Sequence, residues 1–410
     1  METYQNRPKT IDLFCGAGGL SLGVEQAGFD IVSAVEVDPV HAAVHSFNFP
    51  NCNTICGDIT ELHGLELSRG HEIDLLVGGP PCQGFSLIGK RDMNDPRNDL
   101  VAQFMRLVKE IRPKYFIMEN VSGLTIGAAK QILESVISDI EASGYNVVKP
   151  YRVLNANDYG VPQSRKRLFL LGYRSDQIAP QYPERMISAT SVNDAIGDLP
   201  NIDRFDALNE KDTVAFSITP QSDYAKRLHG MTSDETDFSY PRNWDANLLT
   251  GSMRTQHTEE SVKRFSDTEP GKVEPISRFL KLDPSGQCNT LRAGTDKSRG
   301  AYTSPRPIHP RDNRCISVRE AERLHSFPDW FRMHSTKWHG FREVGNSVPP
   351  LLARAVASQI ISAIGYIPNK PTETLNLGNE CLLYFNETTA KEYLLYSTSE
   401  TKEYLEAMGL

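Results

Sequence analysis

The sequence predicts an α/β fold, a largely parallel sheet covered by helices, followed by a smaller loop-rich region. Three observations carry that expectation. Over roughly the first 175 residues, short β-rich runs alternate with helical stretches, the pattern of a parallel sheet with helices on both faces. A glycine turn follows the first β-rich run, as at a tight strand-to-helix junction. From about Ser175 to Asn313, Pro, Asp, Ser and Thr rise and the alternation stops.

In chain order, Thr10–Phe14, Ile31–Glu36, Asn53–Cys56, Ile73–Val77, Lys114–Met118, Asn146–Val153 and Arg167–Gly172 have the β-branched and apolar content of strands. Between them, Leu20–Ala27, Pro39–Phe47, Asp99–Ile111 and Ala128–Ser143 have helical period and good helix formers. Beyond the loop-rich region, Val318–His325 predicts a helix. Pro349–Ile364 predicts a strongly apolar one, with prolines at its start and packed back on the first domain. Residues 371–410 are acidic yet carry Leu, Tyr and Phe, which leaves short helices, a docking segment or disorder open. The expected division is 1–174 plus 314–370, then 175–313, then 371–410.

The chain of 410 residues has 44 basic and 52 acidic side chains, a net charge of -8. No run of 18 apolar residues suggests a membrane span and the polar start lacks a signal-peptide core, so a cytoplasmic protein with no membrane contact is expected. Seven cysteines, an odd count in a long chain, fit reduced thiols. Cys52 and Cys56 have no second pair at ligand spacing, so no metal is expected. Taken whole, -8 argues against nucleic acid. Yet residues 151–174 hold five basic side chains against one acidic, and residues 250–370 are also net positive, which predicts a basic cleft with acidic outer surfaces.

The turn Asp12-Leu-Phe-Cys-Gly16-Ala-Gly18-Gly19 has Ser21 where a dinucleotide-binding turn needs glycine, so a diphosphate cradle is disfavoured. Glu36 ends the second strand, where a carboxylate can accept hydrogen bonds from ribose hydroxyls, and Asp58 follows the third, where it can accept one from an adenine amino group. Together they point to an adenosine-type ligand. After the fourth strand, Gly79-Pro-Pro-Cys82-Gln83-Gly-Phe-Ser86 holds a thiol beyond two rigid prolines, unlike a cysteine used as core filler. The polar stretch that follows, with Lys90 and Arg91, has the composition of a lid over an anionic substrate. Glu119 ends the fifth strand, placed for general acid work, and in Gln163-Ser-Arg165-Lys-Arg167 alternation sends both arginines to one face.

These segments, with Val318-Arg-Glu320 and Gly345-Asn346-Ser-Val348-Pro-Pro350, resemble in order and type the motif set of the DNA (cytosine-5) methyltransferase family, of the bacterial or phage restriction-modification kind. The resemblance covers about residues 10–174 and 284–364. It implies a class I S-adenosylmethionine-dependent methyltransferase fold, a Rossmann-like mixed sheet, with a target-recognition domain between the motif blocks. It further implies S-adenosylmethionine as methyl donor and S-adenosylhomocysteine as product. Phe14 would pack on adenine, Gly16, Gly18, Gly19, Val37, Ile59 and Leu100 would line the pocket, Pro80 would shape it, and Asn346 and Val348 would lie near the methionine part.

In the implied reaction Cys82 attacks carbon 6 of a flipped cytosine, Glu119 assists at nitrogen 3, and Arg165, with Arg167 beside it, holds the ring carbonyl. Gln83, Ser86, Lys90, Arg91, Arg292, Lys297 and Arg299 are expected to contact double-stranded DNA. Arg292 follows Thr290-Leu291, similar to the short Thr-Leu element of the family. A silent DNA-binding relative is disfavoured because Cys82, Glu119 and the glycine turn are all present. RNA methylation is disfavoured by the Cys-Gln-Gly-Phe-Ser turn and the long recognition region. A monomer, nucleoid-associated through its DNA and paired with a cognate restriction endonuclease, completes the expectation.

Overall fold

A computed structural model of the chain describes residues 7–81, 99–186, 189–294 and 306–395. Eight strands form one sheet: β1 (Lys9–Leu13), β2 (Asp30–Glu36), β3 (Asn53–Cys56), β4 (Leu75–Gly78), β5 (Tyr115–Val121), β6 (Tyr145–Val147), β7 (Arg152–Asn155) and β8 (Lys166–Arg174). Their order is β3-β2-β1-β4-β5-β8-β6, with β7 also on β8. The first five run parallel, and β8 lies antiparallel to β5. The first helices are α1 (Gly19–Ala27), α2 (Pro39–Asn48), α3 (Gly64–Ser68), α4 (Asp99–Ile111) and α5 (Ala128–Ala142).

Central strands buried on both faces are apolar without alternation, as Leu75-Leu76-Val77 is. Their period of two still divides the core. Leu76, Phe116 and Met118 pack with Phe104 and Val108 of α4, whereas Leu75, Val77, Ile117 and Phe169 pack with Val24 of α1 on the other face. The run expected as one strand over Asn146–Val153 is two, β6 and β7, both on the outer edge of β8. Pro150 lies between them and has no N–H to donate to the ladder, so pairing breaks there.

The loop-rich region holds the short helices α6 (Val192–Ile196), α7 (Asp223–Leu228) and α8 (Glu259–Asp267) and the two-residue strands β9 (Val214–Ala215), β10 (Arg242–Asn243) and β11 (Leu248–Leu249). It is followed by α9 (Val318–Leu324), α10 (Lys337–Asn346), α11 (Pro350–Ile364), β12 (Leu375–Asn376) and α12 (Glu387–Leu395). Neither α3 nor α10 was legible in the sequence, α3 being five residues long and α10, KWHGFREVGN, lacking an apolar stripe. The returning helix is present as expected: Leu352, Val356 and Ile360 of α11 are buried with Leu20 and Val24 of α1. The helical stretch Lys337–Ile364 is long and apolar enough by composition to cross a bilayer, but half of its apolar window is buried inside the fold.

The α1–α11 contact is close because Gly23 has no side chain. A Cβ there would lie 2.3 Å from the Ala353 Cβ and 2.5 Å from the Pro350 carbonyl oxygen. Gly23→Val is therefore expected to destabilise the protein by ~3 kcal/mol, with Gly23→Ala intermediate, as overpacking of a tight interface does. Thermal denaturation followed by circular dichroism checks this.

Candidate active site

The carboxyl ends of β1 to β5 meet along one edge, since Leu13 pairs with Val35 and Gly78, Glu36 with Cys56, and Gly78 with Met118. Ligands of open α/β sheets bind at such an edge. Phe14 turns the chain there with φ 64°, a left-handed conformation rarely adopted by a bulky residue outside functional turns. Glu36 holds the turn: its Oε2 accepts the Gly16 N–H at 2.9 Å and its Oε1 the Asp38 N–H at 2.9 Å. Burial raises its pKa, and those amide donors act against the rise.

The three glycines differ in role. Gly16 faces open space. A Cβ on Gly18 would strike the Phe49 ring at 2.3 Å, and one on Gly19 would lie 2.5 Å from the Val348 carbonyl oxygen, so the late motif closes directly over the turn. Val37 is 63% exposed, an unusual state for a valine beside a buried strand. Asp58 is exposed and accepts from Thr60 N at 2.9 Å. Ile59 instead buries its side chain in the core, and its carbonyl accepts from Arg106 Nη2 at 2.8 Å. Leu100 is half-buried, Pro80 buried and Asn346 exposed. Asp12, which the sequence reading did not single out, is fully buried beneath the turn. It accepts from Ser21 Oγ at 2.5 Å, its other oxygen has no hydrogen-bond partner among the described residues, and burial pushes its pKa up to about 7.

Next to this turn, the antiparallel entry of β8 brings Arg167 opposite Val121 and Phe169 opposite Glu119. Arg167 Nε reaches Glu119 Oε1 at 2.8 Å. A Cβ on Gly79 would lie 2.9 Å from Glu119 Oε2, so the carboxyl sits directly over the turn that leads to Cys82. Asn120, also absent from the expectation, donates from Nδ2 to the Pro80 carbonyl at 3.0 Å and fixes that turn. Burial raises the pKa of Glu119, with the Arg167 and Arg165 guanidinium charges drawing it down.

Arg165 is placed differently from the expectation. It is buried, with Nη1 donating to the Leu291 carbonyl at 2.7 Å and Nη2 to the Gly345 and Ser347 carbonyls at 2.7 and 2.9 Å. Its donors hold backbone, and Arg167 is the arginine beside the carboxyl. Gln163 extends the same network: its Oε1 accepts the Leu291 N–H at 3.0 Å and its Nε2 reaches His325 Nδ1 at 2.9 Å. His325 Nε2 lies 3.0 Å from the Ser347 carbonyl. A carbonyl only accepts, so Nε2 carries the proton and Nδ1 accepts from Gln163. Burial and the Arg165 charge keep His325 neutral by holding its pKa well below the usual histidine range. Arg292 thus leaves the network exposed, one residue beyond the anchored Leu291. Cys82, Gln83, Ser86, Lys90, Arg91, Lys297 and Arg299 lie outside the described residues.

The basic cleft inferred from segment charges needs correcting. Arg314, Arg319, Arg323 and Arg332 are buried and paired internally, Arg314 with Glu320 at 2.7 Å, Arg319 with Glu322 at 3.0 Å, Arg323 with Asp329, and Arg332 with Asp212 at 3.3 Å. They satisfy carboxylates rather than face phosphate; Glu320 is held down to about 2, the Arg314 charge overcoming its burial. Arg292, Lys263, Lys272, Arg278 and Arg311 remain exposed.

Among solved structures, that of a prophage-encoded DNA modification methyltransferase (E. coli) superposes with a TM-score of 0.74 at 32% identity, covering 87% of this chain and 99% of that one. The S. pombe Dnmt2 methyltransferase, at 19% identity and a TM-score of 0.55, shares the fold. The class is that of S-adenosylmethionine-dependent methyltransferases with a mixed α/β sheet. The family model for C-5 cytosine-specific DNA methylase matches residues 8–362, and the chain belongs to that family. Among its relatives, Type II methyltransferase M.XorII of Xanthomonas oryzae pv. oryzae is 56% identical, covering 94% of this chain and 92% of the relative. M.DdeI of Desulfomicrobium norvegicum is 34% identical over 85% and 88%. The protein is a DNA (cytosine-5) methyltransferase.

The two arginines should separate experimentally. Arg165→Met leaves three buried carbonyls without their donor, an expected loss of ~3 kcal/mol or more in urea unfolding. Arg167→Met leaves a carboxyl that can protonate, so the unfolding midpoint should stay near wild type while methyl transfer is lost.

Proposed function

We propose that the strand-end edge binds S-adenosylmethionine and that Cys82, Glu119 and Arg167 act on a cytosine flipped out of double-stranded DNA. The observation that carries this reading is the Glu119–Arg167 pair at 2.8 Å, lodged over Gly79, three residues before Cys82. The surroundings fit the adenosyl group. Gly16 leaves space at the turn, Val37 offers an exposed apolar face beside Glu36, and Asp12 has a buried carboxylate oxygen without a hydrogen-bond partner among the described residues, suited to a cationic ligand. Phe14, Glu36, Val37 and Asp58 would hold adenosine, with Leu100 and Pro80 on its border. Asn346 and Val348 would take the methionine side, and Ile59 would contribute through its backbone. When bound, this donor supplies an electrophilic methyl group.

The chain's own groups do the rest. The Cys82 thiolate adds to carbon 6, which makes carbon 5 electron-rich enough to form a bond to the methyl carbon as the sulfur–methyl bond breaks. A base then removes the carbon-5 proton, and the carbon 6–sulfur bond cleaves to return the thiolate. Glu119, whose pKa burial raises against the pull of Arg167, donates to nitrogen 3 in its protonated form as negative charge develops, and Arg167 would hold both the carboxyl and the ring carbonyl. Arg165 acts through the backbone it clamps. Arg292, Lys297 and Arg299 would approach the major groove, and the lid with Gln83, Ser86, Lys90 and Arg91 would close over the flipped base.

Relatives named as Type II methyltransferases support a restriction-modification role. We place the protein in the cytoplasm on nucleoid DNA, as a monomer without membrane contact or metal, alongside a cognate endonuclease. Residues 1–174 with 314–370 would form the catalytic unit, residues 175–313 the recognition unit and residues 371–410 an acidic extension.

Incubation with methyl-labelled donor should label DNA and not RNA, and Cys82→Ser should abolish transfer; label on RNA alone rejects the reading. Bisulfite sequencing then gives the methylated site. Because the Glu119 pKa is raised, its protonated form is present at lower pH and is lost as pH rises through that raised value. Turnover at saturating substrates should therefore fall on the alkaline side. Glu119→Gln, which cannot titrate, should be slower and lack that limb; an unchanged limb removes Glu119 from the acid role.

A further inference from the structure

The family match ends at residue 362, and the described chain continues to Leu395. This continuation packs tightly on the body. Leu375 and Asn376 of β12 pair in parallel with Arg242 and Asn243 of β10, tying the segment to the recognition region. Gly378 then crosses α2 so closely that a Cβ would lie 2.9 Å from the Phe47 Cα, and its N–H donates to the Phe47 carbonyl at 2.8 Å. Leu382, Leu383, Phe385 and Ala390 are buried in one cluster with Ala43, Val44 and Phe47 of α2. The loop after α9 fastens the same segment, with His334 Nε2 at 3.1 Å from the Phe385 carbonyl and the Ser335 N–H on the Leu383 carbonyl at 2.9 Å.

What α12 leans on is the outer wall of the proposed adenosine pocket. It packs against α2, whose first turn is capped by Asp38, and against β3, which runs into Asp58. Asp38 N–H donates to Glu36 Oε1, and Glu36 Oε2 holds Gly16, so the position of α2 is transmitted to both the acidic residue and the glycine turn. Burial and the carboxylates of Glu36 and Asp38 push the Cys56 thiol up, and Lys391 of α12 acts against them, which puts all four groups in one neighbourhood.

We propose that residues 375–395 are a positioning strap for the methyl-donor site. Anchored at one end on the recognition region and at the other on α2 and β3, they hold Glu36 and Asp58 at the separation an adenosyl group requires. The strap touches neither donor nor DNA. The proposal rests on the cofactor reading given above, and the two are separable by experiment.

Ala390→Arg lifts α12 off α2 without substituting any residue of the pocket, and Ala390→Ser keeps the packing. Titration calorimetry of the full-length enzyme with S-adenosylmethionine, anisotropy with duplex DNA in the absence of donor, and steady-state kinetics are the measurements. The expected result for Ala390→Arg is a ~10-fold rise in donor Kd and KM, with kcat at saturating donor within about twofold and DNA affinity unchanged, the pattern of lost ground-state binding. Ala390→Ser should match wild type. Unchanged donor affinity in Ala390→Arg, or a loss of kcat and DNA affinity in step with a lower Tm, overturns the strap. Glu36→Ala is the control for the site: if it too leaves donor affinity unchanged, the cofactor reading fails, whereas if it alone weakens the donor, only the strap fails.

Discussion

Three backbone carbonyls converge on one buried guanidinium, and the site depends on that convergence. Arg165 enters on the approach to β8 and bonds Leu291 from the recognition region, Gly345 from the last turn of α10 and Ser347 just beyond it. These segments are more than 120 residues away along the chain. A buried charge with unfilled donors is costly, so the guanidinium is stable only when all three segments are in place. The planar fork of arginine suits the task because its donors point in fixed directions, whereas a lysine would offer one flexible point. The arrangement sets Arg167 two residues on, against Glu119, and Arg292 one residue beyond the anchored Leu291.

The glycine turn satisfies two demands that a sequence pattern merges. Its first glycine leaves room for a ligand, while the later two admit the Phe49 ring and the Val348 backbone. Close helix packing at Gly23 continues the second demand. Open strand-end edge and core are thus built from one run of small residues, and a substitution at either end would act through different physics: on the proposed cofactor reading blocked binding at Gly16, and overpacking at Gly19 and Gly23.

Charge shows the same division. Arg314, Arg319, Arg323 and Arg332 raise the positive count of the second half of the chain, yet each pairs with a buried carboxylate, Glu320, Glu322, Asp329 and Asp212 in turn. Among the described residues, Lys263, Lys272, Arg278, Arg292 and Arg311 are the exposed remainder that the proposed DNA contact would draw on. Internal pairs remove equal numbers of both signs, so the net charge of -8 does not report the local field at the surface.

Alternating β-rich and helical runs determined the parallel sheet, because the period of side-chain burial is a local property of the chain. The strand-end positions of Glu36 and Asp58 followed from the same locality, Glu119 lies two residues inside β5 rather than at its end, and ordered motifs named the family. The sequence missed what depends on distant partners. Pro150 split a predicted strand, α10 formed without an apolar stripe, and Arg165 and Arg167, equivalent by alternation, took opposite duties. One met three carbonyls brought from elsewhere in the chain, and the other met a carboxylate across an antiparallel ladder. Alternation fixes the face on which a side chain emerges; only the folded chain decides what waits there.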